Sequence, residues 1–316
     1  MSEQLNKRLP SSGEKSLWGR LQHHLPSLLL AVLVIGSASL LISRNALAVA
    51  PVTQTKSVTQ TKSEAVQAEY LATVLPVAHL LSRALLADTG VQVDYLPSKR
   101  YPVSRIGYWI DKKLPEELSG LPAYRAVAEV ASIWPEGAIY PALRQRNIGV
   151  IPVDFAAQIK PGGARISRSA DEQALDFFWL NSANLKVMTA ILAEDFARIW
   201  PQHQAVIQRN QQQALSAITD YALKLDEQLW QQGWDGVCSD DQALQPMLQS
   251  LSLPLLAENK TEDLTGFRCL WIEEGKKQDA DKAKDIWTLN GLNRFEKTSL
   301  ILWLEDNLTR LEQVSG

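Results

Sequence analysis

Past residue 50 the chain holds two histidines, His79 and His203, and two cysteines, Cys238 and Cys269. That is a thin stock of nucleophiles, bases and metal ligands. Gly-x-Ser-x-Gly, the phosphate-binding P-loop and His-Glu-x-x-His are all missing, and Cys238 has no histidine close to it in sequence. The reading is therefore a binding or interaction protein, not an enzyme, with no cofactor. The groups able to meet a ligand are few. Tyr101 and Arg105 follow the Pro97 loop, where Arg105 either meets an anionic group or sits in water. Asp241 follows Asp240 just ahead of a short helix. A carboxylate there is stabilised by the helix dipole, or it faces a ligand. Glu273 and Glu274 close a strand, facing a cleft or capping an edge, and Asn290 ends another. The segment "DFFWLNSANL" (176–185) joins an aromatic run to a polar turn. Phe177, Phe178 and Trp179 are lobe core, or one of them walls a cleft. His79, one turn from Arg83, reads as a helix-packing or surface histidine, and His203 as a solvated one.

Strands and helices must bring these groups together. "EYLATVL", "VQVDYLP", "IGVIPVDF", "WDGVCS", "FRCLWIEE" and the "IWTL" of "DKAKDIWTLNGLN" read as strands. Between them lie helical patterns from Val77 to Leu85, in "IYPALRQRN", in "DQALQPMLQSL" and in "KTSLILWLEDNLTRLEQ". "LPAYRAVAEVASIWPE" suggests a helix, then a short strand ending at Trp134-Pro135. Asn181 and Ser182 are good N-cap types for a helix through Leu185, Met188, Ile191, Leu192 and Phe196. Pro201 interrupts, and a second helix runs to about Leu229, roughly 40 Å long. Strands alternating with helices predict parallel sheets, whose ligands sit beyond the carboxyl ends of the strands. The fold class is α/β, as two small parallel-sheet lobes joined by one long rigid helix, with a ligand cleft between the lobes.

The bulk numbers bound the partners. The chain has 316 residues, 46% hydrophobic and 21% charged, with a formal net charge of -3. No basic field exists to hold nucleic acid. Lys7, Arg8, Lys15 and Arg20 precede an apolar run from Leu25 to Ile42, followed by Ala46-x-Ala48. That is the composition of an export signal, cleaved or kept as a membrane anchor. No Cys follows the run, so lipid anchoring has no support. "TQTKS" then occurs twice in a polar linker. The boundaries read as 1–50 export signal or N-terminal membrane anchor, 51–68 linker, 69–182 N-terminal lobe, 183–232 helical connector and 233–316 C-terminal lobe. Localisation is periplasmic, or inner-membrane anchored facing the periplasm. In such an oxidising compartment Cys238 and Cys269 either pair or pack as separate buried thiols.

The order of these elements resembles the substrate-binding proteins of zinc and manganese ABC importers. "FWLNSANLKVMTAILAEDFARIWPQHQAVIQRNQQQAL" is similar to that family's Trp-Leu-Asp/Ser-Pro-x-Asn segment with its Pro break and Asn-bearing long helix, here Pro201 and Asn210. "VQVDYLPSKRYPV" resembles a loop that ends in Pro-His, "CLWIEEG" a strand ending in Glu at Glu273, and "WTLNGLN" a Leu-Asp-x-Leu-Gly. The resemblance spans about residues 69 to 313. It implies an ABC permease of the inner membrane as partner and a metal held between the lobes by His, Glu and Asp. By motif, the four ligand positions fall on Val103, Phe177, Asp241 and Asn290. Zinc needs about four N, S or O ligands. Valine and phenylalanine supply none, and an Asn carbonyl is a weak neutral one. The expectation is a divergent member without the usual metal site. Either it captures a metal chelate or small organic molecule with Tyr101, Arg105, Phe177, Trp179, Asp241, Glu273 and Asn290, or it is an accessory that docks on a permease without capture.

Overall fold

The computed structural model describes residues 69–158, 160–167, 175–258, 264–275 and 285–315. The export signal or anchor and the linker lie outside the described residues. The chain opens with β1 (Tyr70–Thr73), α1 (Pro76–Leu85) and β2 (Gln92–Tyr95). The short helices α2 (Ile106–Lys112) and α3 (Leu114–Glu117) follow. Next come β3 (Ala126–Glu129), α4 (Tyr140–Arg146) and β4 (Ile151–Asp154). Two long helices, α5 (Ser182–Ile199) and α6 (Gln204–Gln231), lead to the second sheet. That sheet is built from β5 (Gly236–Cys238), β6 (Leu255–Ala257), β7 (Cys269–Glu274) and β8 (Ile286–Leu289). The short α7 (Gln245–Leu248) lies between β5 and β6, and α8 (Leu300–Glu312) closes the fold.

The two sheets repeat one topology. The first runs β2-β1-β3-β4 and the second β6-β5-β7-β8, so each has the strand order 2-1-3-4, and every pair is parallel. Parallel strands covered on both faces read as continuous apolar runs, and β3 is buried at all four positions. This corrects the helix expected in "LPAYRAVAEVASIW". Ala-rich composition favours a helix locally, but the central position between β1 and β4 imposes a strand. Its terminal Glu129 is sheltered there by accepting from the backbone N–H groups of Ile139 and Tyr140 at 2.9 and 3.1 Å. Burial pushes that carboxyl's pKa upward, and the two N–H bonds oppose the shift. Helices α2 and α3 and strand β6 were not expected, since each is too short to show a period.

Helix α1 begins with Pro76 in its first turn, where the missing N–H costs nothing. Asn181 caps α5, its side-chain oxygen accepting from the N–H groups of Ala183 and Asn184. The Pro201 turn separates α5 from α6. At 28 residues, α6 is about 42 Å long. It packs against α5, α1 and α8, and so reaches elements of both lobes. Asn210 on α6 donates to the carbonyls of Leu85 and Ala87 at 3.0 and 2.9 Å, satisfying the orphaned end of α1. Cys238 and Cys269 form a disulfide across the neighbouring strands β5 and β7, with Cα atoms 6.0 Å apart.

Candidate functional site: the seam between the lobes

Loops from both lobes meet at the carboxyl ends of the sheets, and backbone and side-chain bonds join them directly. The N–H of Val103 donates to the carbonyl of Asn293 at 2.8 Å and lies 3.3 Å from its side-chain oxygen. Pro102 and Arg294 form an isolated antiparallel bridge, and the Arg294 guanidinium donates to the carbonyl of Arg100. The Phe177 N–H donates to the carbonyl of Ala243 at 2.8 Å. The indole N–H of Trp179 donates to the carbonyl of Gly291 at 2.9 Å. Asn181 donates from its amide to the carbonyl of Pro246 at 2.8 Å. The segments holding Val103, Phe177, Asp241 and Asn290 therefore do converge on one seam.

Their side chains are occupied within the protein. Val103 is 4% exposed and apolar. Phe177 is 9% exposed and meets the Trp179 ring edge to face, with centroids 5.4 Å apart. Asp241 accepts from the N–H of Ala243 at 3.0 Å and acts as an N-cap. Asn290 is bonded at every polar atom. Its N–H donates to Asn307 Oδ1 at 2.7 Å, and its carbonyl accepts from Trp303 Nε1 and Asn307 Nδ2. Its amide donates to Glu296 Oε2 at 2.8 Å, and its side-chain oxygen accepts from the N–H of Leu292. Among the described residues, no three His, Cys, Asp or Glu side chains are grouped to hold a metal ion.

The remaining sequence-derived candidates scatter around this seam. Trp179 is fully buried between Phe177 and Phe178 and acts as a strut. Tyr101 is half-buried against the core next to the bridging Pro102. Arg105 is exposed just ahead of α2, its guanidinium 5.3 Å from the centre of the Tyr108 ring on that helix. Glu273 is half-buried on β7, in register with Thr288. Its neighbour Glu274 is the seam carboxylate, accepting from the Asn293 amide at 3.2 Å. Burial pushes the Glu274 carboxyl's pKa upward; Asp241 and Glu296 add to that, while the Asn293 bond and Arg294 oppose it. Gly291 permits this approach, since a Cβ there would lie 2.6 Å from Glu274 Cγ.

Sequence reasoning reached Asn290 and the "WTLNGLN" stretch but missed Phe295 just beyond it. Phe295 reaches from the C-terminal lobe into a seat on the N-terminal one. It stacks on Tyr95 at 4.6 Å and 27°, meets His79 edge-on at 5.1 Å, and lies 5.2 Å below the Lys99 ammonium. His79 is 9% exposed, with Nδ1 3.5 Å from Thr73 Oγ1. Burial first, then Arg83 and Lys99, lower its pKa to about 4. The "NRF" following Asn290 and Leu292 carries no periodic signal that would have marked it. A separate cavity of about 270 Å³ lies where α1, α6 and the start of α8 meet, lined by Leu80, Arg83, Asn210 and Ser299 among others. None of the sequence-derived site residues lines it.

No protein-family model and no curated protein matches the chain. Solved structures do match. A mutant variant of Zn(II)-bound AdcAII from Streptococcus pneumoniae superposes with a TM-score of 0.56 at 12% identity, over 79% of this chain and 99% of that one. The SBP FpvC from Pseudomonas aeruginosa, in complex with Mn2+, gives 0.53 at 10% identity over 79% and 97%. Zn(II)-bound AdcA from Streptococcus pneumoniae gives 0.53 at 11% identity, over 79% of this chain but 58% of that one. At these identities the likeness shows a shared fold.

Proposed function

We propose that this protein is the extracytoplasmic solute-binding component of an ABC transport system, of metal-importer type, and that it does not take free Zn2+ or Mn2+ through four protein ligands. The fold it shares with Zn(II)- and Mn2+-bound proteins supports the general role. The observation that carries the metal statement is the occupancy of the four ligand positions. Two are apolar and buried, one caps a helix turn, and one is bonded at every polar atom. A borderline cation would have to displace the bonds of the Asn290 side chain and would still lack imidazole and thiolate donors. The transported ligand is then a metal chelate or small organic molecule, the partner an inner-membrane permease, and the location the periplasmic face. Calorimetric titration of the purified chain with Zn2+ and Mn2+ tests the metal statement, with no 1:1 binding expected at micromolar concentration. Zinc binding of that strength, abolished by Asp241→Ala, would overturn it. Cross-linking in the native membrane followed by mass spectrometry tests the transport role, with an ABC permease as the expected adduct; recovery of other proteins only would overturn it.

The second reading is an accessory that docks on the permease without capturing a ligand. The directly bonded seam favours it, because Val103, Phe177 and Trp179 spend their donors on the opposite lobe. Permease cross-links unaffected by any candidate ligand, together with a flat calorimetric response to chelates, would select this reading.

A further inference from the structure

The loop between β8 and α8 is built unlike ordinary core. Arg294 and Glu296 are exposed and Phe295 between them is half-buried, yet its ring is clasped by three groups of the opposite lobe. Those groups come from α1, the end of β2 and the loop beyond β2. They lie past the carboxyl ends of a parallel sheet, where such sheets hold ligands. The fit is imperfect, because the Tyr95 hydroxyl is buried with no hydrogen-bond partner. The loop also carries strain. Leu292 has φ +53°, a left-handed conformation that a branched side chain rarely adopts, held by the bond from its N–H to Asn290 Oδ1. A relay then ties the loop down. Glu274 orients the Asn293 amide, and Asn293 presents its carbonyl and side-chain oxygens to the Val103 N–H.

We propose that Asn293–Phe295 is an internal latch, in which Phe295 occupies the ring-binding seat of the N-terminal lobe and holds the seam shut, so that whatever opens the protein must first displace this ring. The proposal deepens the transport reading by making Phe295 the occupant in cis of the seat. A ligand or permease segment gains access by taking over the contacts with His79, Tyr95 and Lys99. The strained backbone at Leu292 and the unpaired Tyr95 hydroxyl both disfavour the latched state, which is what allows displacement. The seat offers a flat apolar face, one cation at its rim and a neutral imidazole.

Hydrogen exchange of the full chain, read by mass spectrometry, tests the latch together with NMR titration of its histidines. In Phe295→Ala, exchange at Val103 and in the 290–296 loop should accelerate about tenfold, the change expected from the loss of one stacked aromatic pair, with both sheets still protected. The His79 pKa should climb from about 4 toward the ordinary 6.5 as water reaches the ring. Unchanged exchange at Val103, or a loss of protection spread over both lobes, would make Phe295 ordinary packing and overturn the proposal. If Phe295→Ala fails to fold, Asn293→Ala decides. It keeps the ring and the backbone carbonyl that accepts from Val103, but it removes the side chain through which Glu274 steadies the loop, so it should loosen Val103 and the loop alone, and protection equal to the parent's would sink the latch. None of these readouts involves metal or permease, so failure of the transport reading would leave the result interpretable.

Discussion

Trp179→Phe isolates the strut between the lobes. The Trp179 side chain is fully buried, and its indole N–H is 2.9 Å from the carbonyl of Gly291, itself buried. Phenylalanine keeps a ring between Phe177 and Phe178 but removes that donor. A buried carbonyl left without its partner costs about 1–3 kcal/mol. The smaller ring leaves roughly 40 Å³ unfilled, which adds about 1 kcal/mol at ~24 cal/mol per Å³. The expected loss is therefore about 2–4 kcal/mol. The measurement is urea unfolding, followed by far-ultraviolet circular dichroism, on the compact unit Ser63–Gly316. With a slope near 3 kcal/mol per molar, the midpoint should fall by about 1 M. Phe178→Leu serves as the comparison. It disturbs the edge-on contact at 4.9 Å but leaves the Gly291 bond, so it should cost about 1–2 kcal/mol. Were Trp179→Phe to cost under about 1 kcal/mol, or no more than Phe178→Leu, the hydrogen bond across the seam would not be what stabilises it, and this reasoning would be refuted.

Three further outcomes follow from the same structure. His79 has a folded pKa of about 4 against an ordinary 6.5. The unfolded chain thus takes up this proton first as pH falls, and the native state loses about 3 kcal/mol between pH 6.5 and 4, with no further loss below; the pH–stability curve of His79→Gln subtracted from the parent's should show that slope. Asn210→Ala strips donors from two carbonyls at the end of α1. Chemical denaturation should register a loss of about 2–3 kcal/mol, and a change under 0.5 kcal/mol would separate α6 from the support of α1. Replacing Cys238 and Cys269 by serine opens a loop of 31 residues, worth about 4 kcal/mol of unfolded-state entropy; thermal unfolding should shift down, and no shift would mean the bridge adds nothing.

Much of the architecture was legible because it rests on local patterns. The 3.6-residue period marked α5 and α6, Pro201 marked the break between them, and Asn181 was visible as a cap. Strands β1, β4, β7 and β8 stood out as short apolar runs bounded by turns. Strand β3 did not, because the burial that makes "AVAE" a strand comes from β1 and β4, distant in sequence. The segments of the seam could be ordered from sequence, but the partners of their side chains could not. Nothing in "SDDQAL" says that Asp241 turns back to cap Ala243, and nothing in "EEG" selects Glu274 over Glu273 as the seam carboxylate.

The amino-acid sequence alone determined that this is a two-lobed α/β chain, and that the side chains of Val103 and Phe177 bring no metal-ligating atom. Residue type settles that much, since no packing gives Val103 or Phe177 a lone pair to donate. The tertiary structure decided which side chains meet across the two lobes. Phe295 lies 192 positions after Val103 in the chain, and its stacking on Tyr95 beside His79 depends on two lobes being brought together by α6. Contacts of that kind have no local period and no motif. They arise from the geometry of packed elements, and only the folded chain shows that the seam is filled by the protein itself.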